Sequence, residues 1–289
     1  VQSLMAQEAA TKPLVALGAL LLVERGELRL GDRVGRFVPE FRQKGKNGIT
    51  IRHLLTHTSG LPDMLPNNRA LREAGAGLEA FVEGTCQASP DFSPGSGVQY
   101  QSMGFAMLGE VIARISGVDC PTWLREQLFE PLGLVDTRLG APAEWFEGQP
   151  ARVDRIAEIR LPDEQVGQDW NWNERYWRTL AVPWGGLLTT PAELGRLGQL
   201  MLEGGGGILS PASIAAATRN QLAAMPDVPE SMRRGRPWGL GWRLDWPATS
   251  ANFGDLLGPA TFGHWGATGT VLWIDPEHET VCVILTTQP

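Results

Sequence analysis

Cysteine is scarce: three in 289 residues, widely spaced at positions 86, 120 and 282. They make no metal-cluster pattern, and an odd number argues against a full disulfide framework. Excess positive charge is also missing, since the formal net charge is −7 and the sequence pI about 5.2. That balance argues against nucleic acid or an anionic membrane surface as partner. Long apolar runs are missing too. Residues 14–23 form an unbroken apolar stretch of about ten residues, too short to span a bilayer, and it reads as a buried core helix. The glycine run 204–207 lacks the Lys-Ser/Thr of a phosphate loop, which excludes nucleotide binding there. No signal-peptide pattern is present, and nothing calls for a cofactor. The compartment and the oligomeric state stay open.

The chain does hold an ordinary share of apolar residues, 43%, with 20% charged. It also has 35 glycines and 11 tryptophans, which imply many turns and close backbone approaches. The N-terminal stretch Ala9-Ala10-Thr11-Lys12-Pro13 leads into the apolar run. Pro13 suits an early helical position, and Gly26 is a natural stop. Lys12 therefore stands at the buried head of a helix. It either snorkels to the surface or is held there for chemistry, with a lowered pKa.

Further elements follow from period and punctuation. Thr50 can cap a short helix through Leu55. Helices are expected over 78–86, 103–115, 123–129 and from 191, capped by Thr190, to about 202. Residues 142–184 are irregular and dense in aromatics from Asp169 to Trp177. This stretch packs between lobes or walls a ligand. The tail reads as strands over 238–244, 261–266, 270–275 and 280–285, the last two joined as a hairpin. The layout is α+β: an antiparallel sheet flanked by helices, with a helical insertion lobe.

Several stretches together resemble one family. They are Lys12-Pro13, His57-Thr58-Ser59-Gly60, Tyr100-Gln101-Ser102, Trp184-Gly185-Gly186, Gly239-Leu240-Gly241-Trp242 and His264-Trp265-Gly266. In order and spacing they are similar to the penicillin-recognising serine hydrolases: class C β-lactamases, D,D-peptidases and their esterase relatives. The resemblance implies a β-lactamase/transpeptidase-like fold in one domain, 1–289. A helical lobe would span about 50–180, and an α/β lobe 1–49 and 181–289. That family carries two strands before the first helix and a helix after the last strand, so the chain reads as trimmed at both ends. A periplasmic or secreted location is compatible with the resemblance.

The resemblance also implies roles. The nucleophilic serine of Ser-x-x-Lys falls on Ala9, three residues before Lys12. Lys12 and Tyr100 would share the proton work, and His264 would stand on the late strand beside them. The oxyanion hole would use the backbone N–H groups of Ala9 and Ala267. Ser102, Gly266, Trp265 and Trp184 would contact substrate, with Ser102 equally able to cap the helix that follows. Substrates would be small molecules or peptides with an ester or amide carbonyl. A serine nucleophile is worth on the order of a millionfold in rate, so the chain as written is expected to bind carbonyl ligands without turnover. It is then a substituted enzyme, or a natural pseudoenzyme that binds cell-wall peptide or a protein partner. The least favoured alternative is a metal-dependent hydrolase using His53 and His57. The glutamate such zinc motifs carry beside the first histidine is Leu54 here.

Overall fold

A computed structural model describes residues 3–168, 170–246 and 253–288, with the backbone alone for 7–9 and 164. Its centre is helix α1 (Glu8–Glu24). Every residue from 10 to 22 is buried. A helix that is apolar on all sides is satisfied only when covered on all sides. The chain leaves α1 through Gly26, at φ +74°, while Glu27 N–H returns to the Leu22 carbonyl at 3.0 Å. That is a glycine-terminated helix end. One expectation needs correction: Pro13 is not at the helix start but inside α1. It removes the donor that would pair with the carbonyl of residue 9.

A short strand, β1 (Met5–Gln7), precedes α1. Beyond α1 come α2 (Ile51–Leu55), α3 (Asn68–Glu73), α4 (Leu78–Gln87), α5 (Met103–Ser116) and α6 (Cys120–Leu124). Thr50 caps α2 as the sequence suggests, accepting from His53 N–H, while the His53 ring accepts from Thr50 N–H. The helix expected over 123–129 breaks in two: α6 stops at Leu124, and Arg125–Phe129 widens into a π-turn. Then follow β2 (Arg138–Leu139), α7 (Arg175–Thr179), β3 (Leu187–Thr189), α8 (Pro191–Leu202), α9 (Pro211–Thr218) and α10 (Glu230–Gly235). In the aromatic stretch, Trp170 and Trp177 lie 5.7 Å apart, and the Arg72 guanidinium covers both rings. Asp169, at the head of that stretch, lies outside the described residues.

Among the described residues two antiparallel sheets result. β1, β3 and β2 form a small one in that order, which local sequence pattern did not reveal. The larger is a meander of β4 (Arg243–Leu244), β5 (Phe262–Gly266), β6 (Thr270–Asp275) and β7 (Thr280–Leu285). α1 packs on β5 and β6, α8 packs on β6 and β7, and α5 lies against α1. The strand expected over 238–244 shrinks to β4, because the chain turns at Gly241, φ +78°. A Cβ there would lie 2.3 Å from the Ala16 Cβ. Only glycine lets this turn sit directly on α1. Gly241 N–H also bonds the Leu55 carbonyl at 2.8 Å, which ties the turn to α2.

Candidate active site

Lys12 does not snorkel. It is 3% exposed, and its ammonium donates to the Trp184 carbonyl at 2.9 Å. It stands 4.5 Å from the centre of the Tyr100 ring. Burying the ammonium is tolerable because a carbonyl and an aromatic face replace part of its hydration. α1 supplies the rigid base, and Trp184 sits in a turn closed by the Gly185 and Gly186 N–H groups on the Val182 carbonyl, at 3.1 and 2.8 Å.

Tyr100 precedes α5 and is 40% exposed, with its ring 5.9 Å from that of His264. His264, in the middle of β5, is buried. Its Nδ1–H donates to the Trp265 carbonyl at 2.7 Å, so Nε2 carries the lone pair. Among the described residues no group bonds that Nε2. Burial, then the nearby Lys12 charge and more weakly Arg243, push the His264 pKa down to about 3. The imidazole is therefore neutral and offers an acceptor in the pocket.

These three side chains line one cavity of about 460 Å³. Ser102, Trp184, Trp265, Gly266 and Ala267 line it as well. Ser102 does not cap α5; its hydroxyl donates instead to Asp63 Oδ1 at 2.7 Å. Trp265 is 37% exposed at the edge of β5. Ala9 lies in the first turn of α1, and its side chain lies outside the described residues.

Sequence reasoning missed Arg243. It follows the Gly241 turn, is 1% exposed, and sits on the cavity wall. Its guanidinium lies 3.2 Å from the Trp265 ring centre and 3.9 Å from that of Trp246. Among the described residues none of its N–H groups has a hydrogen-bond acceptor. Burial lowers its pKa to about 9 against the opposing pull of Asp245, so it stays charged at neutral pH. A buried guanidinium with no hydrogen-bonded carboxylate among the described residues is costly for stability alone. The available signal was an arginine in an otherwise apolar, glycine-spaced strand.

The histidine pair expected as the least favoured metal site is occupied otherwise. His53 Nδ1 takes Thr50 N–H, and His57 Nδ1 takes Gln101 N–H at 3.1 Å. Among the described residues no group of three or more His, Cys, Asp and Glu could hold a metal ion.

The Beta-lactamase family model matches residues 8–289. The chain belongs to the β-lactamase family. A protein of Escherichia coli K12 named "Putative D-alanyl-D-alanine carboxypeptidase" is 27% identical over 292 residues, covering 93% of this chain and 65% of that one. A protein of the same name from Salmonella typhimurium LT2 matches to the same extent. The chain thus spans about 65% of the length of these curated relatives. Among solved structures, a penicillin-binding protein homolog from Caulobacter crescentus superposes with a TM-score of 0.79 at 26% identity, over 99% of this chain and 78% of that one. EstCE1, a hydrolase with promiscuous acyltransferase activity, shares the fold with a TM-score of 0.77 at 22% identity, over 99% and 80%. This β-lactamase-family chain is related to serine hydrolases, and no helix of the described residues is long and apolar enough to cross a membrane.

Proposed function

We propose that the cavity is an acyl-transfer site that binds small ester, amide or β-lactam carbonyl compounds, and that Ala9 halts it at the non-covalent complex. The observation that carries this reading is the convergence of Lys12, Tyr100 and His264 on one cavity, with the Lys12 ammonium against the Tyr100 ring. A serine at position 9 would lie one helical turn before Lys12. Its oxygen would attack the carbonyl carbon, passing its proton to the Lys12–Tyr100 pair. The carbonyl π electrons would move onto oxygen, facing the N–H groups of residues 9 and 267. Collapse would expel the alcohol or amine, reprotonated through Tyr100, and water would release the acyl group. An alanine methyl cannot form the first bond, so the cycle does not begin.

Arg243 narrows the ligand class. A charged, stacked guanidinium on the cavity wall, without an acceptor among the described residues, suits a ligand carboxylate. That favours carboxylate-bearing peptides and β-lactams over neutral esters. Under this reading 1–289 acts as one unit, its helical residues from about 50 to 180 roofing the site.

A second reading has one specific support. Ser102 gives its hydroxyl to Asp63 and Ala9 lacks one, which fits a natural pseudoenzyme that binds peptide without turnover. One experiment separates the two. The Ala9→Ser protein is assayed with a chromogenic ester and a cephalosporin. Gain of hydrolysis supports the acyl-transfer site; tight binding with no gain supports the pseudoenzyme.

A further inference from the structure

His57 is a buried titratable group that this chemistry leaves unused. It is fully buried, and its backbone is left-handed, φ +58°. That conformation is uncommon outside glycine, with asparagine, aspartate and histidine the usual exceptions. It lets one residue present two acceptors to the same neighbouring segment. The His57 carbonyl takes the N–H of Gln99 at 2.9 Å. The His57 Nδ1 takes the N–H of Gln101 at 3.1 Å. The two amides that flank Tyr100 are therefore both held by His57. The imidazole also lies 4.7 Å from the Tyr100 ring and 4.3 Å from that of Trp238.

Resting on the acyl-transfer reading above, we propose that His57 is a positioning residue for Tyr100, fixing the phenol against Lys12 by clamping the backbone on both sides of it. The clamp needs an acceptor at Nδ1, hence a neutral ring with its proton on Nε2. Burial first, then the charge of Lys12 and the neighbouring His264, hold the ring in that neutral form. Among the described residues Nε2 has no hydrogen-bond acceptor. It lies among the rings of Tyr100, Phe105 and Trp238, where an N–H can point at a π face.

The test uses His57→Ala and His57→Asn, because asparagine tolerates the backbone conformation and puts an oxygen where Nδ1 stood. In the Ala9→Ser protein, His57→Ala lowers kcat by roughly 10–100-fold with KM nearly unchanged, the expected cost of misplacing a catalytic group by about 1 Å. His57→Asn recovers most of that loss. In the unsubstituted chain, hydrogen exchange at the Gln101 amide accelerates in His57→Ala and stays slow in His57→Asn. Circular dichroism and melting curves verify that both variants fold. Unchanged kcat in His57→Ala, a loss that asparagine does not recover, or unaltered Gln101 exchange each overturn the proposal. If the Ala9→Ser protein hydrolyses nothing, the acyl-transfer reading fails and this inference with it; hydrolysis there with an unmoved kcat in His57→Ala overturns this inference alone.

Discussion

Lowering the pH from 7 to 5 charges, in the unfolded chain alone, histidines that the fold keeps neutral. His264 titrates at about 3 in the native state, because it is buried beside Lys12. In the unfolded chain it titrates near its ordinary value of about 6.5. Between those values the unfolded state binds more protons than the native one, so stability falls as pH falls. From pH 7 to pH 5 this group alone removes about 2 kcal/mol. His57 and His53, both lowered mainly by burial, act with the same sign. His278, raised by its partner Asp275, acts in the opposite direction from an exposed position. Asp136 and Asp275, held down at about 2, lose their contribution only in stronger acid. The melting temperature should therefore drop by at least roughly 4 °C between pH 7 and 5, at about 2–4 °C per kcal/mol for a chain of this size. His264→Asn should lose about 2 kcal/mol of that acid sensitivity. Scanning calorimetry across this range measures both. A flat or rising melting temperature on acidification, or a His264→Asn protein with the full slope, would refute the burial argument.

Other consequences are equally specific. Gly241→Val meets both a left-handed backbone and the Ala16 methyl, and should cost about 3 kcal/mol or more, read by urea unfolding. Leu17→Ala, in the fully buried centre of α1, should cost about 2–5 kcal/mol in the same assay. Arg243→Met should weaken a carboxylate-bearing ligand by about 10–100-fold, while leaving its methyl ester unaffected, as measured by calorimetric titration. In the Ala9→Ser protein, Lys12→Met should abolish any hydrolysis gained, with ligand binding retained in the same titration.

Much of the architecture could be read in advance where the signals are local. Thr50, Thr190 with Pro191, and Gly26 mark helix ends by their own chemistry, and those ends stand where expected. The apolar stretch of α1 follows from its unbroken run, and the hairpin β6–β7 from two strand-like segments with turn residues between them. What was illegible depends on distant partners. The small sheet pairs Met5 with Thr189, and no local pattern encodes that. The strand over 238–244 was overextended because the demand for glycine at 241 comes from Ala16 on another element. At the site, the family resemblance pointed to Lys12, Tyr100 and His264, which the fold brings to one cavity. Arg243 and the clamp of His57 were missed, since each is defined by what surrounds it: two tryptophan rings in one case, two backbone amides in the other.

The central claim is that this cavity is equipped for acyl transfer and lacks only a hydroxyl at position 9. Intact-mass spectrometry of the Ala9→Ser protein after brief incubation with a cephalosporin or an activated ester tests it most directly. The account predicts a covalent adduct of the acyl fragment on the Ala9→Ser protein and none on the unsubstituted chain. A folded, ligand-binding Ala9→Ser protein that never gains mass, or an adduct on the unsubstituted chain, would contradict it.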